Sequence, residues 1–245
     1  MTQEKQNRTK LIVAIGGKGG VGKTFTLLSL CDTLTQRGAQ YVIIDGDTEN
    51  KDAGGLGDYQ ATANRLNLRN PKAVDGLLGI AQAIPITILD LPAGAGEDFL
   101  PFLNEISDPE IEQEYNVDVW IVGVITHEIP SIQSVSKWIN MLGPDKKYII
   151  VLNKKNVLSN NIDPKETFYN LYDTAGGKKI QSLAKYIIVL DGLRQTVIDQ
   201  LHRTKTTFSS CEKLDLLNRK RAFDFITKAK VAWQPFLDNI LTNNK

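Results

Sequence analysis

The sequence predicts an α/β fold: a doubly wound, mostly parallel β-sheet flanked by helices. Three observations carry that expectation. Short runs rich in Val and Ile, with little polar alternation, recur along the chain, as strands buried on both faces require. Stretches of helical periodicity separate them, and strand, helix, strand in repetition implies right-handed crossovers and a parallel sheet. A glycine-rich turn joins the first run directly to an apolar helical stretch, at the sheet edge where open α/β folds bind ligands.

Element by element, strands are expected at Leu11 to Ile15, Tyr41 to Ile44, Ile84 to Leu89, Val117 to Ile125, Tyr148 to Leu152 and Tyr186 to Leu190. Helices are expected at Gly22 to Arg37, Ala73 to Ala83, Glu97 to Ile106, Ile132 to Leu142 and Leu193 to Leu201. Gly38 after the first and Gly143-Pro144 after the fourth are stop signals. The polar stretches Asn50 to Asn70 and Asn156 to Gly177 read as insertions or loops, and the acidic stretch Asp108 to Glu114 as a solvated loop. Beyond Glu212 one stripe carries Leu214, Leu217, Phe225, Ala229, Trp233, Phe236 and Ile240, with Pro235 expected to bend or split the helix. Residues 1–9 read as a flexible tail and residues 10–245 as a single domain whose part from about residue 176 is helical and basic.

Composition narrows the class. The 245 residues carry 29 Lys+Arg against 28 Asp+Glu, and 42% are hydrophobic, enough for a core without staples. Cys31 and Cys211 lie outside any paired-cysteine motif, which argues against a disulfide scaffold, a thiol redox motif or a cysteine-ligated cluster within one chain. The polar start and the absence of a run of about 18 apolar residues argue against secretion and membrane spanning. A cytoplasmic protein is expected.

Charge is unevenly placed. Residues 1–175 hold 16 Lys+Arg and 22 Asp+Glu, whereas residues 176–245 hold 13 and 6. The basic last third, including Lys178, Lys179, Lys185, Arg194, Arg203, Lys205, Arg219, Lys220, Arg221, Lys228 and Lys230, suggests a polyanionic partner.

The chemistry follows the first strand. Gly17, Gly22, Lys23 and Thr24 satisfy the pattern G-x-x-x-x-G-K-[ST] within Gly16-Gly17-Lys18-Gly19-Gly20-Val21-Gly22-Lys23-Thr24-Phe25. A loop wrapping a phosphate must turn successive backbone N–H groups inward, which takes glycines free to adopt positive φ. The next helix adds unpaired N–H groups and its positive dipole end. Candidate nucleotide-binding residues are therefore Gly17, Gly19, Gly20, Val21, Gly22, Lys23, Thr24 and Phe25. Lys23 is expected on the outer phosphates and the Thr24 hydroxyl on Mg²⁺. Two more strands deliver acids to the same edge: Asp90 after Ile84 to Leu89, and Asp45-Gly46-Asp47 after Tyr41 to Ile44. Asp90 suits a Walker B position, and Asp47 the orientation or deprotonation of an attacking water.

These residues resemble the ParA/MinD family of deviant Walker A (P-loop) ATPases, and in character its ParA-like partition and positioning members. Lys18, a second lysine at the start of the loop, carries the resemblance. It implies ATP and Mg²⁺ as cofactors and a homodimer on ATP binding, in which Lys18 crosses to the nucleotide of the other subunit and acts catalytically beside Lys23 and Asp47. It also implies Thr24, Asp47 and Asp90 around the metal, Asp45 as companion to Asp47, and Asn153 at the adenine edge. The sequence departs from the family in Thr48-Glu49-Asn50-Lys51 after Asp47, and in lacking a proline near Tyr186 to Leu190.

A P-loop does not name its cargo. The reading favoured by the basic last third is a ParA-like ATPase that binds nonspecific DNA and an unidentified ATPase-stimulating protein, in plasmid or chromosome partition or cargo positioning. A MinD-like membrane-surface switch is the first alternative. It is weakened because Val231 to Lys245 offers apolar residues but only Lys245 as a cation. An ATP-dependent ligase or synthetase on the same scaffold is the second, disfavoured by Lys18.

Overall fold

The computed structural model describes residues 8–16, 19–46, 55–59, 63–70, 72–91, 99–157 and 161–242. Among these, seven strands form one sheet: β1 (Thr9–Ile15), β2 (Val42–Asp45), β3 (Asn64–Arg65), β4 (Ile86–Asp90), β5 (Val117–Ile125), β6 (Lys147–Asn153) and β7 (Ala184–Leu190). Their order is β3-β2-β4-β1-β5-β6-β7, and every pairing is parallel. The described helices are α1 (Lys23–Gln36), α2 (Leu56–Tyr59), α3 (Ala73–Ala83), α4 (Leu100–Ile106), α5 (Pro109–Glu114), α6 (Ile129–Leu142), α7 (Pro164–Thr167), α8 (Tyr169–Asp173), α9 (Ala175–Leu183), α10 (Gln195–Thr204) and α11 (Leu216–Thr242).

Side-chain alternation divides β1 between two cores. Ile12 and Ala14 face a layer that includes α1, α10 and α11, while Leu11, Val13 and Ile15 face one that includes α3, α4, α6 and α9. Burial on both faces is why the strands read as continuous apolar runs. With β1 central, the chain runs to one side through β2 and β3, then passes to β5 on the other. Such a reversal opens a crevice at the carboxyl ends of the central strands.

Five expectations are corrected. The stretch read as a loop after Asn50 contains α2 and β3, an edge strand too short and polar to show a pattern, and the stretch from Asn156 contains α7, α8 and the start of α9. The acidic stretch forms α5, capped by the Asp108 carboxylate accepting from the Glu110 amide at 2.8 Å. Glu112 is drawn in by Lys147 Nζ at 2.6 Å, and Lys147 also bonds Asp118 at 3.1 Å. Burial raises the Asp118 pKa, but Lys10 and Lys147 outweigh it and hold the carboxyl below its ordinary value.

The last two corrections concern α11. It is not split at Pro235 but continues through it; the carbonyl that loses its donor belongs to Val231, a residue 66% exposed, where solvent can take the place of the lost bond. The helix is pinned on either side by buried Trp233, Phe236 and Leu237, and Trp233 Nε1 donates to Ser29 Oγ of α1 at 3.0 Å. Within the stripe Leu217 is 56% exposed, because the buried face is centred on Asn218, Ala222, Phe225, Ile226 and Ala229. The three tryptophans and both cysteines are buried, as a packing role requires.

Gly177 gives a prediction that runs against helix propensity. A methyl group there would clash with the Leu171 carbonyl oxygen, where α9 crosses the end of α8. Gly177→Ala, favourable in an open helix by about 1 kcal/mol, is expected to cost about 2–4 kcal/mol by forcing backbone apart. Urea titration checks this; a midpoint at or above wild type would refute the close approach.

Candidate nucleotide site

The carboxyl ends of β1, β2 and β4 converge. The loop after β1 turns at Gly20 (φ 74°) and at Gly22 (φ 93°), which caps α1 in the left-handed region. Gly22 is required twice over: its φ disfavours any side chain, and a Cβ would clash with Asn153 Nδ2. The first turn of α1 contains no acidic residue, so its terminal N–H groups and dipole are left to an external anion.

Lys23, the first residue of α1, is 8% exposed. Burial lowers its pKa, only partly offset by Asp90. A cation held out of water in this way is stabilised by a ligand that brings negative charge. Thr24 Oγ1 donates to Asp90 Oδ2 at 3.0 Å, joining the P-loop hydroxyl to the end of β4. Asp90 Oδ2 also accepts from the Leu56 amide at 3.3 Å, and Asp45 Oδ2 accepts from the Gly57 amide at 3.1 Å. The start of α2 thus caps both strand-end acids, a role that the polar composition of the segment concealed.

Asp90 is 3% exposed and its Oδ1 has no hydrogen-bond partner among the described residues. Burial pushes its pKa up to about 6, with a contribution from Asp45, against the lowering effects of Thr24 and Lys23. A buried carboxylate with one unsatisfied oxygen beside a hydroxyl fits a Mg²⁺ ion bound through waters and phosphate oxygens. No group of three or more His, Cys, Asp or Glu that could hold a metal ion occurs among the described residues. Here Thr24 would hold the metal and Asp90 its waters, and the ion would neutralise phosphate charge.

Beside the loop lies a cavity of about 280 Å³. Gly19, Gly20, Gly22, Lys23, Thr24, Phe25 and Asn153 line it, so these expected binding residues are brought together. Val21 is buried, and its carbonyl accepts from Asn153 Nδ2 at 2.9 Å. Asn153 therefore braces the loop from the end of β6 in this structure. Gly17, Lys18 and Asp47 lie outside the described residues. Sequence reading missed Lys155, whose Nζ bonds the Gly20 carbonyl at 2.5 Å, and the apolar wall of Leu193, Ile198 and Phe225. Asp191 at the cavity rim is tied to Lys228 of α11 at 2.7 Å. Phe225 lay in the C-terminal helical stripe and Leu193 and Ile198 in an expected helix, and in each case the pattern said core rather than ligand.

A parallel α/β sheet with this loop at its carboxyl edge defines a P-loop nucleotide-binding protein. The chain belongs to the family of the CobQ/CobB/MinD/ParA nucleotide binding domain, whose model matches residues 12–211. No curated protein matches by sequence. Among solved structures, the chain is similar to the MinD cell division protein of Aquifex aeolicus, with 17% identity and a TM-score of 0.57 over 93% of this chain and 97% of that one. It is also similar to a Cyanothece McdA variant solved as its ATP complex, with 13% identity and a TM-score of 0.52 over 91% and 96% of the two chains. At these identities the likeness establishes the fold, a parallel α/β arrangement of the MinD/ParA type.

Proposed function

We propose that the chain is a ParA-like ATPase that binds MgATP, pairs two copies around the nucleotide, and hydrolyses ATP to switch its hold on nonspecific DNA and a stimulating protein partner, in plasmid or chromosome partition or cargo positioning. The observation that carries this reading is the convergence at one sheet edge of buried Lys23, the Thr24–Asp90 hydrogen bond and an Asp90 oxygen without a hydrogen-bond partner among the described residues. ATP hydrolysis breaks the terminal phosphoanhydride by attack of water, and the charge left on the phosphates is where cations act. Lys23 supplies one from within the chain; Lys18 of the other copy supplies a second, which makes cleavage depend on assembly. Asp47 holds the attacking water.

The structure sorts the C-terminal cations. Lys178, Lys185, Arg194 and Arg203 are exposed, whereas Lys228 pairs with Asp191 and Arg221 donates to Asn218 Oδ1 at 3.1 Å. Arg221 does not share the face of α11 that carries Arg219 and Lys220, because successive helical residues point about 100° apart. DNA association is assigned to Lys185, Arg194 and Arg203, with two copies doubling a sequence-blind grip. Trp233, Phe236 and Ile240 are buried, so these apolar residues of α11 pack into the core, and no described helix is long and apolar enough to cross a membrane. The acidic segment that a ligase would use as a substrate clamp is tied into α5 and its ion pairs instead. A cytoplasmic, nucleoid-associated site of action follows from this reading.

The test is co-sedimentation with duplex DNA and with anionic liposomes under ATP, ADP and no nucleotide. ATP-dependent pelleting with DNA is expected; pelleting with liposomes alone would transfer the reading to a membrane switch. Asp47→Ala is expected to retain ATP and accumulate as a dimer, with turnover reduced about 100-fold or more. Light scattering and phosphate release measure this, and unchanged turnover would remove Asp47 from its role.

A further inference from the structure

A groove of about 780 Å³ runs along the first half of α11. Its helical side is built from Leu216, Arg219, Lys220, Phe223, Ile226, Thr227 and Lys230, residues three and four apart that share one face. Leu216 is 75% exposed and Phe223 64% exposed, a large cost in apolar hydration for a face with no covering element among the described residues. Phe208, Ser209 and Cys211 form the opposite side. That side is fixed in advance: the Ser209 amide donates to buried Asp32 at 3.2 Å, and Gln36 Nε2 donates to Ser209 Oγ at 3.0 Å. Arg219, Lys220 and Lys230 rim the groove with no carboxylate within ion-pair reach among the described residues, and Glu212 is the single acid lining it among those residues.

We propose that this groove docks an acidic, amphipathic helical segment of a protein partner. Apolar anchors at helical spacing enter between Leu216 and Phe223, as in other helix-in-groove complexes, while the segment's carboxylates meet Arg219, Lys220 and Lys230. Duplex DNA would use the cations but leave Leu216 and Phe223 in water. A lipid surface would meet a concave face instead of a protruding one.

The groove also adjoins the nucleotide cavity. The Phe208 ring stands 4.8 Å from Phe225 and 6.0 Å from Phe25, and both of those rings line the nucleotide cavity. Phe208 is itself fully buried, so a segment seated on the exposed neighbour Ser209 reaches the wall of that cavity through the Phe208 ring, and docking alters nucleotide affinity. Assigning the segment to the stimulating partner rests on the ATPase reading; occupancy of the groove does not.

The probe is a fluorescein-labelled synthetic peptide of about five helical turns, with Leu repeated at three- and four-residue spacing and Glu at the other positions. Its controls are the same peptide with Lys for Glu and a scramble of equal composition. Anisotropy titrations of the full chain without nucleotide are expected to show binding of the acidic amphipathic peptide and at least about tenfold weaker binding of both controls. Phe223→Ser and the double variant Arg219→Glu/Lys220→Glu are each expected to weaken it about tenfold or more while ADP affinity measured alone stays at the wild-type value. Amide exchange is expected to slow between residues 216 and 230 in the complex. Equal binding of acidic and basic peptides, or binding indifferent to both variants, would overturn the proposal. It would also be overturned if the variants instead abolished DNA pelleting, liposome pelleting or self-association of the chain with no peptide bound. An unchanged ADP affinity in the saturated peptide complex would overturn the coupling through Phe208. Failure of ATP hydrolysis with peptide binding intact would count against the ATPase reading and leave the groove as assigned.

Discussion

Lys23→Ala is expected to remove measurable MgATP and MgADP binding, weakening affinity at least about 100-fold, while the fold survives. The side chain lies at the first position of α1, is nearly buried, and has its charge disfavoured by desolvation. Its ammonium is therefore destabilised until an anion arrives, and that deficit is recovered on binding. With alanine, the phosphate would keep the loop amides and helix dipole but lose the buried cation at the helix start. Since Lys23 is not among the side chains tied into the described ion pairs, thermal unfolding without nucleotide is expected to change little. Calorimetric titration measures the affinity. Retention of micromolar binding would remove the loop from its assignment.

Asp90→Asn is expected to raise stability without nucleotide and, like Lys23→Ala, to impair function. Burial, reinforced by Asp45, raises the Asp90 pKa from 3.8 to about 6. The fold therefore favours the protonated acid. Its contribution is fully present below pH 4, is lost as pH rises to about 6, and stays absent at neutral pH, a loss of about 3 kcal/mol. An asparagine never bears that charge, keeps an oxygen for the Thr24 hydroxyl and the Leu56 amide, and removes the pH slope. Urea titrations without nucleotide should thus show the variant more stable by about 3 kcal/mol at pH 8 and nearly equal to wild type at pH 4. The same change deprives a divalent ion of its anionic neighbour, so stabilisation of the wild type by MgATP should be largely missing from the variant. Equal stability at both pH values would mean that Asp90 is not held in the environment described.

The P-loop was legible because its physics is local. A strand, glycines able to adopt positive φ, and a helix start are consecutive in the chain, and Gly20, Gly22, Lys23 and Thr24 occupy the places their order implies. Asp90 and Asp45 were legible almost as well, each being the first acid after an apolar run that ends at a sheet edge. The apolar wall of the cavity was hidden. Leu193, Ile198 and Phe225 come from separate parts of the last third, and each carries the same pattern as an ordinary core residue. The caps from Leu56 and Gly57 are backbone groups, on which side-chain identity has little bearing.

What the sequence alone determined is therefore the class of chemistry: a parallel sheet, a phosphate loop at its carboxyl edge, and acids delivered to the same edge. Periodicity and glycine placement are properties of neighbouring residues, and such signals survive in one dimension. Tertiary structure alone decided which distant residues close the nucleotide cavity, that Leu217 faces solvent while Asn218 is buried, and that Leu216, Phe223 and three cations share one groove. Those outcomes depend on the rotation of α11 about its axis. A shift of one residue turns the face by about 100°, and packing against α1 through Trp233 and Ser29, rather than composition, fixes that angle.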